Sequence, residues 1–125
     1  MIRLEQVLIF HTRLIEIFGG TEGIRSLELL KSALARPFQT FDGEDLYNTP
    51  FQKAAAIAES ITGNHPFVDG NKRMGYVLMR LLLNQYDLDV VSSEDEKYEV
   101  MIQLAEGKLS LDELFIWLEK NSVKK

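Results

Sequence analysis

The chain contains no cysteine. That excludes disulfide bridges, thiolate catalysis and cysteine-ligated zinc, and it accords with a reducing, cytoplasmic setting. Positive charge is also in deficit. The formal net charge is −5, whereas non-specific binding to DNA or RNA requires a basic face, so no direct nucleic-acid binding is expected. A local anion site remains compatible with that balance. No apolar run approaches the roughly 20 residues that a bilayer span needs. The opening "MIRLEQVLIFHTRLIE" alternates charged and apolar residues and lacks a small-residue cleavage site, so neither a membrane role nor a signal peptide is expected. Proline and glycine are too sparse for a disordered or fibrous chain. What is left is one domain, residues 1–125, long enough for a single continuous core.

The periodicity is helical throughout. Leu4, Val7, Leu8, His11, Leu14, Ile15 and Phe18 recur at spacings of three and four, one stripe of a helix that stops at Gly19 and Gly20. "SLELLKSALA" reads as a short second helix with Ser26 as N-cap, ended by Pro37. "RPFQTFDGEDLYN" carries Phe38, Phe41 and Tyr47 around an Asp42-Gly43 turn, and reads as an extended loop or small hairpin. A third helix opens at Thr49-Pro50 and runs to about Gly63, with small residues from Ala54 to Ala58 that permit close approach by a neighbour. A fourth, about Gly70 to Gln85, is apolar nearly all round and is predicted to be central. Two more helices open with capping-box patterns, Ser93 with Glu96 and Ser110 with Glu113, and the tail "KNSVKK" is expected to fray. The fold class is therefore all-α: a compact bundle of about six helices with a short flap before the third.

The chemistry concentrates in "NHPFVDGNKRMG", Asn64 to Gly75. Asp69-Gly70-Asn71 is turn chemistry that starts the fourth helix, so the first-turn amides of Asn71, Lys72 and Arg73 lack intrahelical acceptors and sit at the positive end of the dipole. Gly70 lets an oxyanion approach the backbone, while Lys72 and Arg73 add formal charge. These are the parts of a phosphate cradle. Asp69 would repel a bare phosphate, a conflict that magnesium resolves by taking a carboxylate together with phosphate oxygens. His65, just before the turn, can accept a proton from an attacking hydroxyl. Phe67 pins the loop to the core. The bland alternative for "DGNKR" alone is a capped surface turn, and His65 with Asp69 could form a metal pair only on a continuous helix, which Pro66 and Gly70 disfavour. The glycine-lysine spacing does not fit a Walker loop, and no Gly-x-Gly-x-x-Gly occurs. His11, on an apolar stripe, reads as a satisfied core histidine. Arg80 either reaches the cradle or pairs with a carboxylate.

"HPFVDGNKR" closely resembles the signature of the Fic superfamily, His-x-Phe-x-Asp/Glu-Gly-Asn-Gly/Lys-Arg. The resemblance to its death-on-curing (Doc) branch extends over almost the whole chain, through "GGTEGIRSLELLKSALARPFQTFDGEDLYNTPFQKAAAIAESI" and "AEGKLSLDELFIWL". It implies His65 as general base, Asp69 as the magnesium (Mg2+) ligand, and Gly70, Asn71, Lys72 and Arg73 as the ATP-phosphate-binding helix start. Phe67 becomes the hydrophobic anchor, and the segment Phe38 to Tyr47 a flap that lays the target beside the nucleotide, by strand pairing.

Adenylylating Fic enzymes usually have glycine where Lys72 stands and a second arginine where Tyr76 stands. Both departures match the Doc pattern, in which the terminal phosphate faces the nucleophile, although Gly70 and Pro66 follow the general Fic pattern. The phosphorus in line with the activated hydroxyl is the one transferred. The resemblance thus implies a kinase toxin that phosphorylates a threonine of elongation factor Tu and halts translation. It implies as partner an antitoxin whose disordered segment folds over the site. Ser92 to Glu96 has the spacing of a built-in inhibitory helix, but Lys97 follows, and a helix cap explains those residues better. The rivals are an adenylyl (AMP) transferase using the same His65, and a non-catalytic co-repressor module that binds its antitoxin. The joint presence of His65, Asp69, Asn71 and Arg73 disfavours the latter, because binding demands no such set.

Overall fold

The computed structural model describes residues 1–125. Six helices follow in order: α1 (Leu4–Phe18), α2 (Leu27–Ala35), α3 (Pro50–Asn64), α4 (Asn71–Asn84), α5 (Glu94–Ala105) and α6 (Leu111–Asn121). A 3-10 turn at Arg36–Phe38 extends α2, because Pro37 cannot continue an α-helix there. Between it and α3 lies a hairpin of β1 (Thr40–Phe41) and β2 (Glu44–Asp45). Its loop residues Asp42 and Gly43 both have positive φ, 53° and 81°, as a two-residue loop of the Asp-Gly type demands.

The caps explain the helix starts. Ser26 accepts from the Leu29 amide at 3.2 Å. Thr49 and Gln52 form a reciprocal capping box, as do Ser110 and Glu113. At α5 the box is only half made. Ser93 caps the Glu96 amide at 3.1 Å, but the Glu96 carboxylate takes the Ser92 hydroxyl in place of the Ser93 amide.

The core is one continuous cluster of 23 buried residues, from Ile2 to Leu118. Its most enclosed element is α3, not α4 as the apolar run suggested. Residues 53–58 of α3 are all buried, and the helix packs against α2, α4, α5 and α6. Ala54, Ala55, Ala56 and Ala58 are what allow neighbours to close on several sides at once. On α4 only the face of Met74, Gly75, Leu78, Met79, Leu82 and Leu83 is buried, while Lys72 and Arg73 stand exposed.

The tail, expected to fray, is instead ordered in a strand pair. Ser122–Lys124 forms β4, paired antiparallel with β3 (Leu88–Val90) in the register Leu88↔Lys124, Asp89↔Val123 and Val90↔Ser122. The pairing gives the chain end backbone partners it would otherwise take from water. Next to it Arg80 grips Asp89 with two bonds of 2.8 and 2.6 Å, which resolves its role as an ion-pair partner rather than part of the cradle. No helix is long and apolar enough to cross a membrane.

Candidate active site

The site is the loop between α3 and α4 with the first turn of α4, held by segments of α1 and of the α1–α2 loop. α3 ends at Asn64, and His65 takes a left-handed conformation with φ 50° and ψ 58°. That reversal turns the backbone out of the helix and leaves His65 exposed, while Pro66 and Phe67 dive into the core. Phe67 is 1% exposed and anchors the loop as expected. Its ring stacks on His11, centroids 4.0 Å apart. The Nε2 of His11 lies 2.8 Å from the Asp69 carbonyl oxygen, so it carries the proton and donates. His11 is thus a satisfied core histidine, and it fixes the backbone of the motif.

Asp69 is exposed. Its Oδ1 accepts from the Gly70 amide at 2.9 Å and its Oδ2 from the Thr21 amide at 3.2 Å. The carboxylate rests against Gly20, where a Cβ would stand 2.8 Å from Oδ2. The glycine pair after α1 therefore does more than stop a helix: it admits the Asp69 side chain. Each carboxylate oxygen keeps further capacity to accept.

Gly70, the N-cap of α4, has φ +80°. A Cβ there would meet Leu14 Cδ2 at 3.3 Å and Ile15 Cδ1 at 3.5 Å. Glycine is required by this backbone and by α1, so the face where a side chain would stand is closed to an oxyanion. Asn71 likewise has local duties. Its side chain accepts from the Phe67 amide and donates to the Phe67 carbonyl, both at 3.0 Å. What Asn71 offers an anion is its backbone amide.

The first intrahelical bond of α4 runs from the Met74 amide to the Gly70 carbonyl at 2.9 Å. The amides of Asn71, Lys72 and Arg73 precede it and have no acceptor of their own. The first turns of α1, α2, α5 and α6 contain acidic residues, but that of α4 contains none. Its positive end is reinforced by the exposed Lys72 and Arg73 instead. The Arg73 guanidinium lies over the Phe18 ring, 4.2 Å from the centroid. Phe18, expected on the buried stripe of α1, is 58% exposed and serves as that platform.

Two supports carried no signal readable in the sequence. The first is the α1–α2 loop, which is strapped along the motif: Val68 donates to the Gly23 carbonyl at 3.0 Å, and Ile24 bridges Phe67. The second is the base of the flap. Lys53, 5% exposed, donates to the Tyr47 carbonyl and to Asp45 Oδ2, and Arg36 donates to the Tyr47 hydroxyl at 2.9 Å. Both cations support the hairpin, whose β1 residue Phe41, next to the turn, is 76% exposed.

The residues fit a magnesium ion that uses few protein ligands. No group of three or more His, Cys, Asp or Glu side chains is gathered to cage a metal. A lone exposed carboxylate beside an anion cradle suits an ion that takes its remaining ligands from phosphate and water.

Comparison with known proteins identifies a family. Residues 1–83 match the profile of the Fic/DOC family. A protein named Toxin Doc, from Mycolicibacterium smegmatis, is 39% identical over 89 residues, covering 66% of this chain and 68% of that protein. A Fido domain-containing protein of Dictyostelium discoideum is 26% identical over 96 residues, covering 73% of this chain and 67% of the other. The flap, the α1–α2 loop and the whole motif from His65 to Arg73 fall within the matched span, and the chain belongs to the Fic/DOC family.

Proposed function

We propose that the chain is a Doc-like toxin of a toxin–antitoxin pair, an enzyme that transfers the terminal phosphate of ATP to a protein hydroxyl. The expected acceptor is a threonine of elongation factor Tu, with arrest of translation as the outcome. The observation that carries this reading is the start of α4. Three unpaired amides, two exposed cations and no first-turn acid meet an exposed histidine across one short loop.

In this reading the amides of Asn71, Lys72 and Arg73 and the side chains of Lys72 and Arg73 receive phosphate oxygens. His65 accepts the proton of the attacking hydroxyl as its oxygen bonds to the terminal phosphorus. The bond from that phosphorus to the bridging oxygen breaks, and ADP leaves. Asp69 would hold magnesium, which when bound neutralises phosphate charge. The flap supports docking of the acceptor segment, since a two-stranded hairpin leaves an outer edge on each strand for pairing.

Transfer of the terminal phosphate, rather than of AMP, is favoured by the arginine count on α4. Tyr76 stands where adenylylating relatives carry a second arginine. The other arginine of α4, Arg80, is bound to Asp89. Arg73 is the one arginine of α4 left to clamp phosphate. Resemblance to a Doc toxin also supports an antitoxin partner that covers the site.

The test uses two ATP samples, labelled at the terminal or at the α-phosphate, incubated with protein, magnesium and a cell extract. Label from the terminal phosphate alone, lost with His65→Ala, is the expected result. Label from the α-phosphate would make the enzyme an adenylyl transferase and overturn the role given to Lys72 and Tyr76. No transfer of either label, with growth arrest surviving His65→Ala, would leave the non-catalytic module.

A further inference from the structure

The end of α3 poses a capping problem. A helix that stops in a left-handed residue ordinarily closes its last carbonyls with the amides of that residue and the next. Here the left-handed residue is His65 and the next is Pro66, which has no N–H to give. The amide of His65 makes no such closing bond either. The carbonyls at the end of α3 must find donors elsewhere.

A single loop residue takes the last of them, that of Asn64, and the carbonyls that follow the helix. Arg25 donates from Nε to the His65 carbonyl at 2.6 Å, and from Nη2 to the Asn64 carbonyl. Its backbone amide donates to the Pro66 carbonyl at 2.7 Å, joined there by the Ser26 amide at 3.0 Å. Three consecutive carbonyls, those of Asn64, His65 and Pro66, are thus taken by Arg25 and its neighbour. The guanidinium also brings positive charge to the helix end where the dipole favours it. Contacts internal to the motif account for Phe67, Asp69 and Asn71, but none of them holds His65.

We infer that Arg25 is the positioning residue for His65: it caps α3 from another part of the chain and so sets the direction in which the imidazole leaves the backbone. The inference rests on the reading of His65 as general base. It concerns a residue that takes no part in the chemistry itself. A planar fork is needed, because two successive carbonyls are engaged by two different guanidinium nitrogens. A lysine ammonium retains the charge at the helix end but loses that geometry.

The experiment compares the full chain with Arg25→Lys and Arg25→Ala by two readouts. The first is the ring-proton NMR spectrum. The protein has two histidines, and His11, buried between Phe67 and Asp69, is the internal reference. Both substitutions should move or broaden the His65 ring signals and leave those of His11 in place. The second readout is steady-state transfer. Displacing a general base by a fraction of an ångström to an ångström should lower kcat by about tenfold to a hundredfold with KM for ATP nearly unchanged. Added guanidinium at non-denaturing concentration should restore part of the rate of Arg25→Ala. If Arg25→Ala fails to fold, Arg25→Lys decides on the same readouts. Unshifted His65 signals, or a kcat equal to that of the parent chain, would overturn the inference. The ring readout needs no turnover, so an inactive parent chain would sink the transfer reading while Arg25 is still judged on His65.

Discussion

His11 lies parallel to Phe67, their rings 4.0 Å apart at an interplanar angle of 10°, and from that position its Nε2 reaches the Asp69 backbone at 2.8 Å. One buried histidine therefore ties α1 both to the motif's anchor and to the residue proposed to hold magnesium. Replacing it with alanine removes a stacked ring and leaves a carbonyl unpaired. His11→Ala should cost about 2–4 kcal/mol. His11→Phe, which keeps the stack and loses only the hydrogen bond, should cost about 1–2 kcal/mol. Urea denaturation followed by circular dichroism measures both. Equal losses would mean that the hydrogen bond, not the stack, dominates.

The close approach of α3 and α4 depends on Gly75. A Cβ there would lie 2.8 Å from Thr62 Cγ2 and 3.5 Å from the Ala58 carbonyl. Thr62 cannot step aside: it is buried, and its hydroxyl is bonded to Ala58 O at 2.9 Å. Gly75→Ala gains about 1 kcal/mol of helix propensity, against about 1–3 kcal/mol for overpacking. A net loss is expected. Thr62→Ser removes the clashing methyl and keeps the hydroxyl, so the double variant should recover most of that loss. Additive effects in the double-mutant cycle would show that the clash is relieved in some other way.

What the sequence disclosed is what local chemistry dictates. Thr49-Pro50 and Ser110 with Glu113 start helices because capping is decided within four residues. Asp42-Gly43 makes its hairpin for the same reason. The motif was legible because its residues are consecutive. Non-local pairing was not legible. Ser122–Lys124 is too short for an alternating pattern to register, and its partner Leu88–Val90 lies beyond two helices. Arg25 and Gly20 act on segments far along the chain, Lys53 folds back onto the hairpin just before its own helix, and all three look like ordinary surface or loop residues from sequence. Gly70 and Asn71 have roles that spacing alone does not reveal. Their side-chain positions face α1 and Phe67, and only their backbone remains for an anion.

Arg80 and Asp89 should be visible in acid. The hydrogen bonds from Arg80 hold the Asp89 carboxyl below the usual aspartate range, and burial opposes that only in part. A carboxyl whose pKa is depressed on folding contributes stability that is complete above its unfolded value, about 4. That contribution falls away as the pH drops below it and through the folded value. The parent chain should therefore lose more stability between neutral pH and about pH 3 than Asp89→Asn does. Thermal melts across that range provide the measurement. Arg80 is 39% exposed, so the difference at neutral pH should be modest, on the order of 1 kcal/mol. Parallel pH profiles for the two proteins would show that the ion pair does not distinguish folded from unfolded chains.

His65 should separate stability from activity. Its φ of 50° is a conformation in which a Cβ is crowded, and the position is one that helices commonly give to glycine. Relief of that crowding is worth about 1–2 kcal/mol. The added freedom of glycine in the unfolded chain offsets roughly 0.5–1 kcal/mol of it. His65→Gly should thus fold at least as stably as the parent chain, with a melting temperature equal or higher by a few degrees. Phosphate transfer should nevertheless be lost, because no other titratable side chain belongs to the loop between α3 and Asp69. A stable, inactive His65→Gly would mean that the histidine is kept for its imidazole at a cost to the fold. A destabilised one would assign His65 a packing role that its exposure does not suggest.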